Sequence, residues 1–310
     1  MKSLNYVAVV AVMVLALGTV AQAADVTLFF ADFETDQSTT FTVQNGAGDF
    51  VANFTYAYDT YTTQAGTTGP TSIPQSPSSP GAGTKALRME ANNNDLTEGA
   101  DAVTVFPIPA AGLSNYTMTF DLWLQYNGPA AGGTGSTEFI VVGGHSDAAS
   151  AAWPDATAFN GFFWTITGEG GAAQDSRYYQ GTGAAPVRDD TIPNWFGANA
   201  LNNLDAAWQA FFVPPTYETL GSPGKAWTQV EMVVNGSSVA VSLTPDGGTK
   251  TQVASFTASG APTSGTPFVG YMDIFTSIAT PPQDNFGLVD NLQILVPAPS
   301  TGAQNWSLYE

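Results

Sequence analysis

The clearest pattern in the chain is a strict alternation of apolar and polar residues over short segments. In residues 114–127 the apolar side chains are Tyr116, Met118, Phe120, Leu122 and Leu124. The residues between them are Thr117, Thr119, Asp121, Trp123 and Gln125. Because successive side chains of a β-strand point to opposite faces, this period of two predicts a strand with one buried face.

Segments of the same kind recur from residue 26 to residue 296, separated by turn residues. Residues 226–243 alternate on both sides of Asn235-Gly236, and Asp246-Gly247 follows. Both dipeptides favour tight hairpin turns because they tolerate positive φ. Residues 199–212 form the only helix-like pattern after the leader. The pattern predicts one all-β domain over residues 24–296, an antiparallel jelly-roll sandwich with a loop-rich aromatic insertion at about 146–222.

The two ends of the chain differ from this pattern. Residues 1–23 have Lys2, an apolar run from Val7 to Val20 and an Ala-Gln-Ala sequence, which are the parts of a secretory signal peptide. The run is too short for a lasting membrane span. Residues 62–84 read as a long loop rich in Thr, Gly, Pro and Ser, and residues 297–310 read as a flexible tail.

Composition supports strands and turns rather than helices. Only 11% of the residues are charged, whereas Gly (32) and Pro (20) are abundant. The net charge is −19, and removal of Lys2 with the leader makes it −20. Such a polyanion is a poor partner for nucleic acid or for an anionic membrane surface. Its natural counter-ion is a cation such as Ca²⁺, although the charge also serves solubility.

The chemistry-bearing residue types are few. The chain has no Cys and a single His, His145. This excludes disulfides, thiolate chemistry and zinc sites that use two or three histidines. The jelly-roll glucanase pattern E-x-D-x-x-E is absent, since Glu34-Thr35-Asp36 continues as Gln-Ser-Thr. An enzyme is therefore the weakest of the functional readings.

Several segments resemble the concanavalin A-like and laminin-G-like jelly-roll domains. They are the opening residues 29–43, the hairpin 226–243, GYMDIFTS at 270–277 and GLVDNLQI at 287–294. The resemblance implies a lectin-like β-sandwich. The segment LVPAPSTG at 295–302 is similar to the start of the Pro-Glu-Pro sorting tail of secreted bacterial proteins, with Ala298 in place of the Glu. No apolar span or basic stop follows, so anchoring by this tail is not expected.

The same resemblance implies a calcium site between the first and last strands. In such sandwiches a carboxylate after the first aromatic residue and an Asp of the closing strand share a structural Ca²⁺, which here points to Glu34 and Asp290. The predicted ligand set is Asp32, Glu34, Asp36, Asp290 and Asn291. The alternative is that these are solvated carboxylates at a sheet edge.

Aromatic residues concentrated in the predicted insertion are the candidates for ligand binding. Trp and Tyr rings stack on sugars, and pockets combine such walls with a few polar groups. The candidates are Trp153, Trp164, Tyr178, Tyr179, Trp195 and Trp208, together with Trp123 and Asp121 on the polar side of the 114–127 strand. The alternative is that these aromatics form the core of the insertion and that Trp123 packs beneath it.

Together these features favour a secreted or cell-surface protein, of bacterial type, that is not an enzyme. The leading hypothesis is a calcium-stabilised lectin-like domain that binds extracellular polysaccharide. The second is a structural or adhesive subunit of a surface layer or fibre, which would bind copies of itself through sheet edges or flat patches. A glycan-degrading enzyme is third.

Overall fold

The computed structural model describes residues 24–46, 48–62, 72–79, 81–92, 99–126, 137–169, 175–189, 196, 204–275, 278–279 and 282–298. The predicted leader, Trp195 and the tail from residue 299 lie outside these residues. In the described part of the chain no helix is long and apolar enough to cross a membrane.

The regular secondary structure of the described residues is mainly β-strand. In chain order these are β1 (Val26–Ala31), β2 (Phe41–Asn45), β3 (Phe50–Ala57), β4 (Lys85–Ala91), β5 (Asp101–Pro107), β6 (Asn115–Gln125), β7 (Glu138–Ser146), β8 (Phe159–Thr167), β9 (Ser176–Ala184), β10 (Val187–Arg188), β11 (Thr228–Asn235), β12 (Ser238–Pro245), β13 (Thr251–Thr257), β14 (Thr266–Asp273) and β15 (Phe286–Val296). The prediction of an all-β fold is confirmed.

Two antiparallel sheets form a sandwich, as the sequence predicts. The first sheet has the order β13-β12-β11-β6-β15-β4-β3, and β1 also pairs with β15. The second sheet has the order β10-β9-β8-β7-β14-β5-β2. The chain passes repeatedly from one sheet to the other, which is the jelly-roll arrangement, and the first and last strands lie side by side.

The main core fills the space between the sheets. From the first sheet, Met118, Phe120 and Leu122 of β6 point inward. From the second sheet, Trp164 and Tyr178 meet them. The inward set of β6 is the apolar set that the alternation predicts, because a period of two places one chemical class on each face.

The predicted insertion contributes strands as well as loops. Its strands β8, β9 and β10 extend one edge of the second sheet. The predicted helix at 199–212 begins outside the described residues, and its described part contains α1 (Ala206–Phe211), the one α-helix among the described residues. Asp205 caps it, because its carboxylate accepts the N–H of Ala207 at 2.8 Å. The aromatic rings of this region are divided between two clusters. Trp164, Tyr178 and Trp208 belong to the main core, and Trp153 and Tyr179 belong to a second buried cluster.

Gly143 on β7 marks a point where the second sheet has no room for a side chain. A Cβ there would overlap the Phe162 carbonyl oxygen and the Phe268 ring. We predict that Gly143→Ala lowers the free energy of unfolding by about 1–3 kcal/mol, as overpacking does. Chemical denaturation measures the loss. The control is Gly48→Ala, whose Cβ would meet its nearest neighbour, Asp101 Oδ2, at an ordinary 3.4 Å. Equal stabilities for the two variants would contradict the tight packing at Gly143.

Candidate functional site

The outer face of the first sheet is divided into a covered half and a bare half. Residues 72–79 lie over the half that holds Trp123, where Ile73 joins a small apolar cluster with Trp123 and Trp227. The Trp227 indole N–H donates to the Pro74 carbonyl oxygen at 2.7 Å and ties the segment down. No segment of the described residues covers the other half of the face, and its side chains there are partly or fully exposed.

Two buried carboxylates lie beneath the covering segment. Asp121 on β6 and Asp290 on β15 are direct cross-strand partners, and each is at most 1% exposed. Directly opposite side chains have Cβ atoms about 4.5–5.5 Å apart, so the two acids are near neighbours. The register of β15 then shifts, and Asn291 takes a positive φ of 53° at this irregularity.

Three serines of residues 72–79 donate hydrogen bonds to this pair of carboxylates. Ser76 Oγ donates to Asp121 Oδ2 at 2.5 Å, and Ser78 Oγ donates to Asp121 Oδ1 at 2.9 Å. Ser79 Oγ donates to Asp290 Oδ2 at 2.7 Å. The Asn291 amide nitrogen lies 3.1 Å from the hydroxyls of both Ser76 and Ser79. We call Ser76, Ser78, Ser79, Asp121, Asp290 and Asn291 the serine–aspartate cluster.

Burial makes Asp290 a weak acid. Removal of the carboxyl group from water, with a smaller contribution from the Asp121 carboxylate, raises the pKa of Asp290 to about 7. The Ser79 hydroxyl and the Asn291 N–H act in the opposite direction. An acid whose pKa is higher in the folded state takes up a proton on folding. The ionisation of Asp290 therefore lowers the free energy of unfolding progressively as the pH rises from about 4 to about 7.

We predict that Asp290→Asn removes this pH dependence, because the amide mimics the protonated acid. The variant matches the wild type near pH 4. Its advantage in free energy of unfolding grows to as much as about 4 kcal/mol by pH 8, from 1.36 kcal/mol for each unit of pKa shift. Urea denaturation from pH 4 to pH 8 measures this. Asp59→Asn, at an exposed position, is the control. A difference between variant and wild type that does not change with pH would refute the prediction.

A cavity of about 150 Å³ opens beside the cluster, at the boundary between the covered and bare halves. Its lining residues are Pro77, Ser78, Asp121, Trp227, Gln229, Thr244 and Pro245–Gly248. Asp121, Gln229 and Thr244 belong to one row across β6, β11 and β12. The row explains why these distant residues share one wall, since antiparallel register places opposed side chains on the same face.

A second cavity of about 290 Å³ lies on the other side of the turn between β12 and β13. Its lining combines the apolar side chains of Phe211 and Val213 with the hydroxyls of Thr216 and Thr251. The turn itself is held by Tyr217, whose hydroxyl oxygen accepts the N–H of Asp246 at 3.1 Å. The two cavities therefore flank one fixed hairpin turn, Pro245–Gly248, which lines both.

The structure engages the predicted calcium ligands in different sets of hydrogen bonds. Asp290 and Asn291 belong to the serine–aspartate cluster, together with Asp121, which the sequence assigned to a different site. Glu34 instead accepts the Lys85 N–H at 2.9 Å. In the described residues no three His, Asp or Glu side chains come together as a metal site.

The two remaining predicted ligands are engaged in local turns. Asp32 Oδ1 accepts the N–H of Glu34 at 3.2 Å, and Asp36 Oδ1 accepts the N–H of Ser38 at 2.9 Å. As arranged, the five predicted side chains do not surround one ion, because backbone N–H and serine O–H donors occupy carboxylate oxygens that a cation would need.

The aromatic candidates that the structure describes are buried. Their exposed fractions are 0% for Trp123, Trp164 and Tyr178, 1% for Trp208, 3% for Tyr179 and 7% for Trp153. Stacking on a sugar needs an exposed ring face, which these rings do not offer in this arrangement. Their burial agrees with the alternative reading, in which they build the core. A binding role for Trp123 requires residues 72–79 to move.

The residues that form the cavity were mostly missed by sequence reasoning. Ser76, Ser78 and Ser79 lie in a loop that has no periodic pattern of apolar residues. Gln229 and Trp227 belong to a hairpin whose alternating pattern predicts strands but does not indicate a binding site. The one signal was Asp121, a carboxylate in the middle of a good strand. An acid there must be either solvated or paired, and the long loop at 62–84 was the element able to pair it.

A second row of buried acids lies at one end of the sandwich, between the sheets. Asp101, Asp273 and Glu138 are opposed across β5, β14 and β7. Burial, together with the Asp273 carboxylate, holds the pKa of Glu138 well above its usual range. Asn285 donates to Glu138 Oε1 at 3.0 Å, and Asn92 donates to Asp273 Oδ2 at 2.8 Å. These amides hold the row as a structural network.

Comparisons with known proteins find similar solved structures at low sequence identity. No family model and no curated protein matches. A Bacillus subtilis protein of unknown function with a galectin-like fold is similar at a TM-score of 0.45 and 8% identity, over 89% of this chain and 99% of that one. Peanut lectin is similar at 0.44 and 7%, over 89% and 100%. A Bacillus subtilis carbohydrate-binding module is similar at 0.37 and 9%, over 68% and 86%.

Proposed function

We propose that this protein is a non-catalytic, lectin-like domain that binds neutral glycans in the 150 Å³ cavity beside the serine–aspartate cluster. The observation that carries the proposal is the lining of this cavity. Trp227 and Pro77 supply apolar lining, and the Gln229 amide and the Ser78 hydroxyl supply hydrogen-bonding groups. Small-ligand sites typically combine these two kinds of surface.

The charge of the cavity argues for neutral rather than acidic sugars. Asp121 forms part of its wall and Asp246 stands at its rim. No Lys or Arg is among the residues that line it. A uronate or sulfate group would therefore meet carboxylates without a compensating cation, in a chain of net charge −19. Hydroxyl groups of a neutral sugar can instead donate to the exposed Asp246 carboxylate.

Binding fits the carboxylate geometry better than hydrolysis does. A glycosidase needs one carboxylic acid and one carboxylate facing the substrate from opposite sides. Here Asp121 and Asp290 stand side by side under Ser76, Ser78 and Ser79, which donate to them. The pair therefore serves to hold residues 72–79 in place against the cavity.

We propose an extracellular or cell-surface location for this activity. The support is the leader-like sequence of residues 1–23, with its apolar run and Ala-Gln-Ala motif. A domain outside the cell would meet polysaccharides as its natural ligands.

We predict that Gln229→Ala weakens glycan binding about fivefold to tenfold, because each lost hydrogen bond contributes about 1 kcal/mol. Isothermal titration with soluble glucan, mannan, xylan and galactan supplies the neutral probes, and polygalacturonate is the acidic probe. Thr257→Ala, at an exposed position on β13, should bind as the wild type does. Absence of binding to every neutral probe would overturn the proposed function. Light scattering that showed large assemblies would then favour the structural role.

We propose that calcium stabilises the domain, with Asp121, Asp290 and Asn291 as candidate ligands. Asn291 Oδ1 is buried and has no hydrogen-bond partner among the described residues, so it is an oxygen ready to coordinate an ion. Ca²⁺ needs about six to eight oxygens, and the ion would have to displace serine hydroxyls from the carboxylates.

The calcium proposal predicts that millimolar Ca²⁺ raises the melting temperature at pH 8 relative to EDTA. Asp290→Asn should abolish that rise, because it removes one charged ligand. Asp59→Asn should keep it, because Asp59 is exposed and is not part of the cluster. Differential scanning calorimetry of the three proteins decides the matter. Identical melting of the wild type in Ca²⁺ and in EDTA would overturn calcium stabilisation.

A further inference from the structure

The bare half of the outer face of the first sheet continues directly from the cavity. Along β11 the outward side chains after Gln229 are Glu231 and Val233. Along β6 those that lead away from Asp121 are Thr119 and Thr117. Each step of two residues advances about 6.8 Å, so the face extends roughly 14 Å beyond the cavity row.

The first row of this face is polar but carries no unbalanced charge. It runs through Gln293, Thr119, Glu231 and Ser242 on four neighbouring strands. The one ionised side chain, Glu231, forms an ion pair with Lys250. The row therefore offers hydroxyl and amide groups at about 4.8 Å intervals, the spacing of adjacent strands.

The second row is mainly apolar. It runs through Leu295, Thr117, Val233 and Ala240. Val233 in this row is 39% exposed. The first row ends on β1 at Phe30, the cross-strand partner of Gln293, which is 44% exposed. A row of hydroxyls and amides next to a row of aliphatic side chains matches a sugar chain, whose rings have apolar C–H faces and polar edges.

We propose that the cavity is one end of a longer binding site, and that the bare face takes an extended neutral polysaccharide chain rather than a single terminal sugar. This inference rests on the proposed glycan binding in the cavity. Its further support is the continuity of the face with the cavity and the near absence of charge on it in a chain of net charge −19.

The size of the face favours a slender ligand over a second copy of the protein. The face spans five neighbouring strands, β1, β15, β6, β11 and β12. Their spacing of about 4.8 Å gives a width of roughly 19 Å, and with a length of roughly 14 Å the area is on the order of 270 Å². Stable protein interfaces bury about 800 Å² on each partner. A polysaccharide chain needs no such area, because it contacts the sheet along a single line of sugar rings.

The test is the dependence of affinity on chain length. The wild type is titrated with gluco-, manno-, xylo- and galacto-oligosaccharides of one to six units, followed by NMR. For the series that binds, affinity should rise at least tenfold from one unit to six. Val233→Asp should remove that gain, because its charge and missing methyl groups spoil the apolar row. The same variant should leave the affinity for the monosaccharide unchanged. The matched control is Val187→Asp, at a residue that is 67% exposed on the second sheet.

Each outcome separates the inference from the proposal beneath it. Affinity that is independent of length, or a hexasaccharide affinity that Val233→Asp leaves intact, overturns the extended site and leaves glycan binding in the cavity standing. Absence of binding by any oligosaccharide of the four series overturns both. Loss of the length gain in Val187→Asp as well would show a general effect of added charge, and would also overturn the role of the bare face.

Discussion

The structure depends on the pairing of β15 with three other strands. The last strand of the domain lies between β6 and β4 over its first half and between β6 and β1 over its second. It therefore joins the beginning, the middle and the end of the described chain in one sheet. The same pairing puts Asp290 opposite Asp121, so the constraint that closes the fold also creates a buried pair of acids.

Without hydrogen-bond partners, that pair of buried acids would lower the stability of the folded state. An ionised carboxylate buried without partners loses its hydration, and a second carboxylate beside it adds repulsion. The protein offsets both effects with three serine hydroxyls and a proton, since burial raises the pKa of Asp290 to about 7. Residues 72–79 are fixed by these bonds over Trp123 and Trp227. The position of the cavity follows, because its rim includes Pro77 and Ser78 of the same segment.

The candidate site is therefore made by packing between remote segments rather than by a sequence motif. Ser78, Asp121 and Gln229 come from a loop and two strands that are far apart in the chain, and each is unremarkable in its local sequence. The sequence pointed to Asp121, Asp290 and Asn291 individually but divided them between a sugar site and a metal site. It also assigned Glu34 to the metal site, whereas in the structure Glu34 accepts a backbone N–H at the start of β4.

The sequence by itself determined the class of fold, the boundaries of many strands and the inward face of β6, because these follow from a period of two and from local turn chemistry. Only the tertiary structure decided which strands are neighbours, which acids face each other and which aromatic rings are covered. The reason is that register between distant strands depends on how both sheets pack around the shared core. A cross-strand pair such as Asp121 and Asp290 has no counterpart in the local sequence of either strand.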